Sequence, residues 1–300
     1  MSQVHGENRF QGTWLARTDR IGGYWGLLDK QLAEHDTSMS QLLKAEGMDV
    51  HTSLAIQDLL ELPDPSSDWR ELADVEDLKR RGLLLPDFEP VIQYRQIWRT
   101  RIEDLDDDYV VFLQEINKDK SIDFETLVFV ELMDALTKLS QETNRVIPPG
   151  ELVTVFTQKL ANQIAVLHNA DYLHRFLHHR NVGTTAQIVD LDGLTHESEI
   201  PKEDFQTQQM LETVMPDGVE GSSGGKSLLS VCVHFYLLCH VAFRKDFQLP
   251  DFKKTIEDAL DTYIQKRKFK TDVIRADFGR AAKNIIRAMD EKGFFSGISH

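Results

Sequence analysis

The sequence predicts an α+β protein of two lobes, a small mixed or β-rich N-terminal lobe and a large helical C-terminal lobe. Three observations carry this expectation. Residues 89–102 place Val91, Ile92, Tyr94, Ile97 and Trp98 in a run of strong β propensity. Beyond Asn117 the apolar spacing changes from a strand period to a helical one. The chain has 300 residues, 41% hydrophobic and 28% charged, enough to bury a sizeable core, and this excludes pervasive disorder. The lobes are expected over residues 46–116 and 117–300, hinged near Asn117, with residues 1–45 as an N-terminal extension.

In chain order, GTWLARTDRIGGYWGLL reads as a glycine-punctuated hairpin and QLAEHDTSMSQLLKAEG as a helix. LPDPSSD is a linker that opens a helix over 68–81. Ser67 or Asp68 can cap it, and Trp69, Leu72, Val75, Leu78 and Lys79 follow at helical spacing as far as Gly82. Residues 104–108 make an acidic hairpin tip before the short buried strand YVVFLQEI. DFETLVFVELMDALTKLSQ and PGELVTVFTQKLANQIAVLHNA are helices, the second opened by Pro148 and Pro149. An extended stretch over 174–181 leads to AQIVDLDG, a strand ending in acidic residues. SLLSVCVHFYLLCHVAF, DFKKTIEDALDTYIQKRK and residues 273–292 are further helices, and GVEGSSGG is a loop.

Composition narrows the function. A net charge of −15, from 49 acidic and 34 basic residues, argues against a broad nucleic-acid surface, which needs clustered Lys and Arg. The start of the chain lacks a basic and then apolar leader, and the longest apolar run, 228–243, is interrupted by Ser230, His234 and His240. A cytoplasmic protein without membrane contact is expected. Cys232 and Cys239 fall two helical turns apart, about 10 Å, too far for a disulfide. Two buried thiols fit a reducing compartment. Cys232, His234, Cys239 and His240 lack zinc spacing and read as helix core.

The stretch that carries chemistry is IAVLHNADYLHRFLHHRNVGTTAQIVDLDG. A helix ends near His168, His174-Arg175 follow, then Asn181, then Asp190 and Asp192. An amide and carboxylates on neighbouring loops are the hard oxygen ligands a magnesium–phosphate site needs. Plainer readings also fit: surface or strand-end positions for His174, His178 and His179, and a simple turn for Asp190-Leu191-Asp192-Gly193.

Here the sequence resembles the protein-kinase superfamily, including its aminoglycoside-phosphotransferase-like relatives. The family's catalytic loop, H-R-D-x-x-x-x-N, is matched in spacing by His174-Arg175-Phe176-Leu177-His178-His179-Arg180-Asn181, with Phe176 where the Asp belongs. Asp190-Leu191-Asp192 matches the metal-binding D-F-G, with Asp192 in the glycine position. The resemblance implies a two-lobed kinase-like fold and catalytic roles for His174, Asn181 and Asp190. It also implies a magnesium ion on Asn181, Asp190 and Asp192, and ATP. The ATP-anchoring lysine of V-A-I-K is answered by Gln57 in Leu54-Ala55-Ile56-Gln57, its glutamate partner by Glu71 or Glu76, and the hinge contact by Glu115. The glycine-rich loop corresponds to Ile21-Gly22-Gly23-Tyr24-Trp25-Gly26, one residue short. AIQDLLEL, residues 55–62, equally fits a helical period, with Gln57 on an exposed helix.

These departures matter chemically. Phenylalanine cannot accept the substrate hydroxyl's proton, a contribution of roughly 10²–10⁴ in rate, and glutamine offers no charge to the phosphates. The expectation is a degenerate kinase, a pseudokinase, that binds nucleotide or regulates and scaffolds a protein partner. The alternatives are an active atypical ATP-dependent phosphotransferase, with His178 or His179 as base, and a helical protein-interaction module without a nucleotide site.

Other motifs carry less. Asp190-Leu191-Asp192-Gly193-Leu194-Thr195 also matches the D-x-D-G opening of haloacid-dehalogenase-type phosphatases, but residues 196–300 lack the βα units that fold requires. Gly221 to Ser227 misses P-loop spacing by one residue, and Asp277-Phe278-Gly279 lies inside a helical stretch.

Overall fold

The structure, a computed structural model, describes residues 2–5, 28–67, 70–98, 100–105, 123–214 and 227–296. By internal contacts the chain forms two units. Met1–Leu42, Val50–Ile97 and Asp190–Asp192 make the first, and Leu43–Asp49, Trp98–Val189 and Gly193–His300 the second. Both α and β structure are present, the sheets small and the C-terminal region helical.

The first unit contains β1 (Ser2–His5), β2 (Leu28–Asp29), α1 (Lys30–Ala45, whose end counts with the second unit), β3 (Thr52–Asp58), β4 (Glu61–Pro63), β5 (Leu72–Asp74), α2 (Val75–Arg80) and β6 (Pro90–Gln96). β6 is the central strand of an antiparallel sheet. β3 runs along one edge, from Thr52 opposite Gln96 to Asp58 opposite Val91, with an irregularity between Ser53 and Ala55. β1 and β2 share the other edge, β1 beside 93–96 and β2 beside 90–91. Gln57 therefore stands in a strand, opposite Ile92, and the helical reading of residues 55–62 fails, since 52–58 and 61–63 are strands.

The sheet's apolar contact with α1 is small, Val91 against Leu28, Ala33 and Ile56. The same face continues into Gln93, a fully buried amide, so a polar partner must come from α1. Asp36 supplies it. Its Oδ2 accepts from Gln93 Nε2 and from His51 Nε2, each at 2.7 Å, and its Oδ1 accepts from the Leu191 amide at 2.8 Å with Arg95 3.6 Å away. Asp36 is 1% exposed, and the burial of its side chain is offset by three donors and the nearby Arg95 guanidinium.

β4 and β5 form a separate hairpin, Glu61 opposite Asp74 and Pro63 opposite Leu72. The expected helix over 68–81 is corrected here: residues 72–74 pair as a strand, and helix occupies only Val75–Arg80. Asp74 explains the late start, since its side chain accepts from the Glu76 and Asp77 amides and caps the helix there. Val75 and Leu78 then pack with Leu62, Leu84 and Phe88, which leaves Leu72 exposed.

The second unit contains α3 (Phe124–Thr143), α4 (Leu152–Asn169), β7 (Tyr172–Leu173), β8 (Thr195–His196), α5 (Lys202–Val214), α6 (Leu228–Phe243), α7 (Phe252–Lys266) and α8 (Asp272–Glu291). α3 is capped by Asp123, which accepts from the Thr126 amide at 2.8 Å, and ends in left-handed Asn144. α6 is apolar on nearly every side and is buried accordingly, with the Phe235 ring stacked on Phe156 of α4 at 3.6 Å. Cys232 and Cys239 are buried and free, and burial pushes both thiols up. α8 buries one stripe, Phe278, Ala282, Ile286 and Met289.

The expected strand over 186–193 is absent. Residues 182 and 188 form an isolated bridge and Leu191–Gly193 a short 3-10 turn, because left-handed backbone at Ala186 (φ 64°) and Asp190 (φ 66°) interrupts the extended run. β1 and α5 were not anticipated. Among the described residues no helix is long and apolar enough to cross a membrane. The hairpin expected over 12–28, save Leu28, with its glycine-rich 21–26, Trp69, the acidic tip at 106–108, the strand 109–116 with Glu115, the hinge near Asn117 and the loop 218–225 lie outside the described residues.

The Phe156–Phe235 stack gives a stability test. Phe235→Ala should cost about 3–5 kcal/mol. Leu237→Ala, at an exposed position of the same helix, should stay within about 0.5 kcal/mol. Equal losses in urea unfolding followed by circular dichroism would show that the stack does not anchor α6.

Candidate functional site

The segment between α4 and α5 carries every site residue the kinase resemblance singled out in the C-terminal part. Within the helical unit its two ends are tied together by a short ladder, Tyr172 opposite His196 and Leu173 opposite Thr195. The backbone between them is unusual. Asp171 (φ 59°), Arg175 (φ 64°), Ala186 and Asp190 are left-handed non-glycine residues, four of the five found among the described residues. Such conformations cost about 1–3 kcal/mol each and persist only where surrounding bonds enforce them.

One enforcing group is Glu212, on α5. Its Oε1 accepts from the Arg175 amide at 2.6 Å, and its Oε2 from the His174 amide at 3.1 Å and from His168 Nε2 at 2.8 Å. The Tyr263 hydroxyl of α7 completes the chain by donating to His168 Nδ1 at 2.7 Å. Burial opposes the charge on Glu212, but the hydrogen bonds from His168 and the His174 amide outweigh it and hold the carboxyl below its ordinary range. Burial also drives the His168 pKa down, more than Glu212 raises it, so the ring is neutral: Nε2–H donates and Nδ1 accepts. Tyr263 is pushed up to about 12 by burial and keeps its proton. Arg267 extends the network, donating to Gln209 Oε1 at 3.2 Å and to Asn169 Oδ1 at 2.8 Å.

His174 itself is fully buried, and its Nε2–H donates to the Val189 carbonyl at 3.1 Å. It braces the loop from inside. Phe176 is 43% exposed, and its ring lies against Gly193: a Cβ on Gly193 would come 2.8 Å from Phe176 Cδ2. Asn181 is buried, its Nδ2–H₂ donating to the Phe176 carbonyl at 3.0 Å, while its own carbonyl accepts from the Val189 amide at 2.9 Å. His178 Nδ1 accepts from the Arg180 amide at 3.1 Å, and His179 stacks on His234 of α6 at 4.6 Å.

The far arm of the loop is held independently. Gln163 Nε2 donates to the Ala186 carbonyl at 2.6 Å, which supports that left-handed residue. The Asp49 amide donates to Gln163 Oε1 at 2.7 Å, and the Asp49 carboxylate accepts from Gln187 at 3.0 Å and from Lys159 at 2.6 Å. Trp98 Nε1–H donates to Thr184 Oγ1 at 2.9 Å.

The helical unit thus brings His174, Phe176, Asn181 and Gly193 together. Asp190, half-buried, and Asp192 belong to the sheet unit, where the Leu191 amide is held by Asp36. Gln57 accepts from the Tyr94 hydroxyl at 2.9 Å, and Glu76 pairs with Lys79 at 2.9 Å within α2. Glu71 precedes β5 and is not helical. Among the described residues no group of three His, Cys, Asp or Glu is arranged to hold a metal ion. Sequence reasoning missed Glu212 and Asp36. The signal for Glu212 was faint, a lone acid on a polar helix, and Asp36 stood in a helix given no role.

Two measurements follow from this geometry. Glu212 and His168 both bind protons less readily folded than unfolded, so stability rises with pH wherever the unfolded chain binds more protons. It should be full above the ordinary histidine value of 6.5, fall as pH drops below it through His168, and fall again below 4.5 through Glu212. A denaturation series from pH 8 to 4 checks this, and His168→Leu should flatten the upper step. Gly193→Ala should cost about 1–3 kcal/mol by crowding Phe176. Most of that cost should vanish in a Phe176→Ala background, and additive losses in a double-mutant cycle would refute the contact.

No protein-family model, no curated protein and no solved structure matches the chain.

Proposed function

We propose that this chain is a kinase-like protein with degenerate catalytic residues, two-lobed in architecture, that binds Mg²⁺–ATP and regulates or scaffolds a protein partner rather than transferring phosphate. The observation that carries this reading is Phe176. It occupies the base position of the His174–Asn181 spacing, and its ring sits over Gly193, directly after Asp190-Leu191-Asp192. No carboxylate stands there to take a hydroxyl proton, and an aromatic ring cannot replace it.

Further support comes from the neighbours. His174 is fully buried, out of a substrate's reach, and His178 spends its Nδ1 lone pair on the Arg180 amide, so neither imidazole offers a ready base. Gln57 is a neutral strand residue bonded to Tyr94. Asn181 and Asp190, with Asp192, are the residues that would hold the cation, and the cation would neutralise phosphate charge. The pinning of the Arg175 backbone by Glu212 keeps the loop ordered without any catalytic demand on it.

Thermal shift with Mg²⁺ and ATP tests the reading. At 100 times the dissociation constant a ligand stabilises by about 2.7 kcal/mol, a visible rise in melting temperature. The rise should be present in the wild type and absent in Asp190→Ala, and radiolabel transfer from ATP should stay at background. No shift in the wild type would favour the helical interaction module; rapid transfer would favour an active phosphotransferase.

A further inference from the structure

A concave feature lies in the helical unit and uses none of the residues of the 174–193 segment. It is a cavity of about 450 Å³, within the range of roughly 300–1,000 Å³ usual for small-molecule sites. One wall is a single face of α6 and its C-cap: Tyr236, His240 and Arg244, four residues apart along the helix. The opposite wall is the 247–252 turn, and Phe295 closes the end.

The floor is aromatic and already assembled. Tyr236 stacks on Phe252 at 4.3 Å, Phe295 meets Phe252 edge-on at 5.2 Å, and all three are buried. The Tyr236 hydroxyl is used within the wall, donating to the Pro250 carbonyl at 2.9 Å. The turn cannot retreat on one side, because Gly150 approaches so closely that an added Cβ would lie 2.5 Å from the Gln248 carbonyl oxygen. The rim is polar and exposed, with Arg244, Phe247, Gln248 and Asp251 at the surface.

Charge decides the ligand's sign. Asp251 is engaged as the cap of α7, its Oδ1 accepting from the Lys254 amide at 2.8 Å. Arg244 makes no ion pair among the described residues, although its neighbour Lys245 pairs with Glu125. A guanidinium without an acid, at the mouth of a pocket floored by rings, matches a flat apolar body carrying an anionic group. The His240 imidazole beside it has its pKa lowered by partial burial and by Arg244, which leaves Arg244 as the fixed positive charge on that face.

We infer that this cavity binds a small aromatic carboxylate, its ring on Tyr236, Phe252 and Phe295 and its carboxylate on Arg244. Titration calorimetry of the full chain with 3-phenylpropanoate tests it, with 3-phenylpropan-1-ol and propanoate as controls lacking the charge and the ring. Saturable binding of the acid is expected, with each control weaker by ~10-fold or more. Arg244→Gln alters an exposed rim position, so it should fold with a wild-type melting temperature and bind the acid ~10-fold more weakly. Absence of saturable binding by the wild type, or undiminished binding by Arg244→Gln, would overturn the assignment.

Discussion

A carboxylate taken out of water must be surrounded by donors, and the candidate segment is organised by that requirement. Glu212 meets it with three: the His174 and Arg175 amides and the His168 imidazole. Because the amides belong to the loop, satisfying the acid and shaping the loop are one event. The left-handed turn at Arg175 exposes its amide to Oε1, and the bond in turn holds a conformation that an arginine would otherwise leave. In the sheet unit Asp36 does the same for Leu191, drawing that amide into a cluster with His51, Gln93 and Arg95.

In the helical unit the bonds are directed at the backbone of the 174–189 loop and hold its shape. Phe176 packs against Gly193, where an added Cβ would strike its ring. On the proposed kinase-like reading Phe176 stands at the base position, so the chain keeps the shaped loop without the base.

Much of the fold was legible and the reasons are local. α3, α4, α6, α7 and α8 announce themselves by apolar spacing and caps, and β6 by its β-branched and aromatic run. α5 was silent because its buried face includes Gln209, Glu212 and Thr213, residues that a hydropathy pattern assigns to water. The over-long helix at 68–81 failed on a tertiary fact: residues 72–74 have a strand partner at 61–63, and Asp74, at the end of that strand, caps the helix. The strand expected at 186–193 failed because left-handed backbone at Ala186 and Asp190 is fixed by partners far away in sequence. Spacing singled out His174, Phe176 and Asn181, and the three share one loop of the helical unit. It could not reveal that His174 points inward, for that depends on a carbonyl at 189.

The chain's two sulfhydryls have a chemical corollary. Both sit inside α6 in apolar surroundings that disfavour the thiolate, the form that attacks electrophiles and peroxides. Burial shields both thiols from alkylating agents and mild oxidants, so modification of either sulfur would report the opening of that helix's interior rather than a surface event.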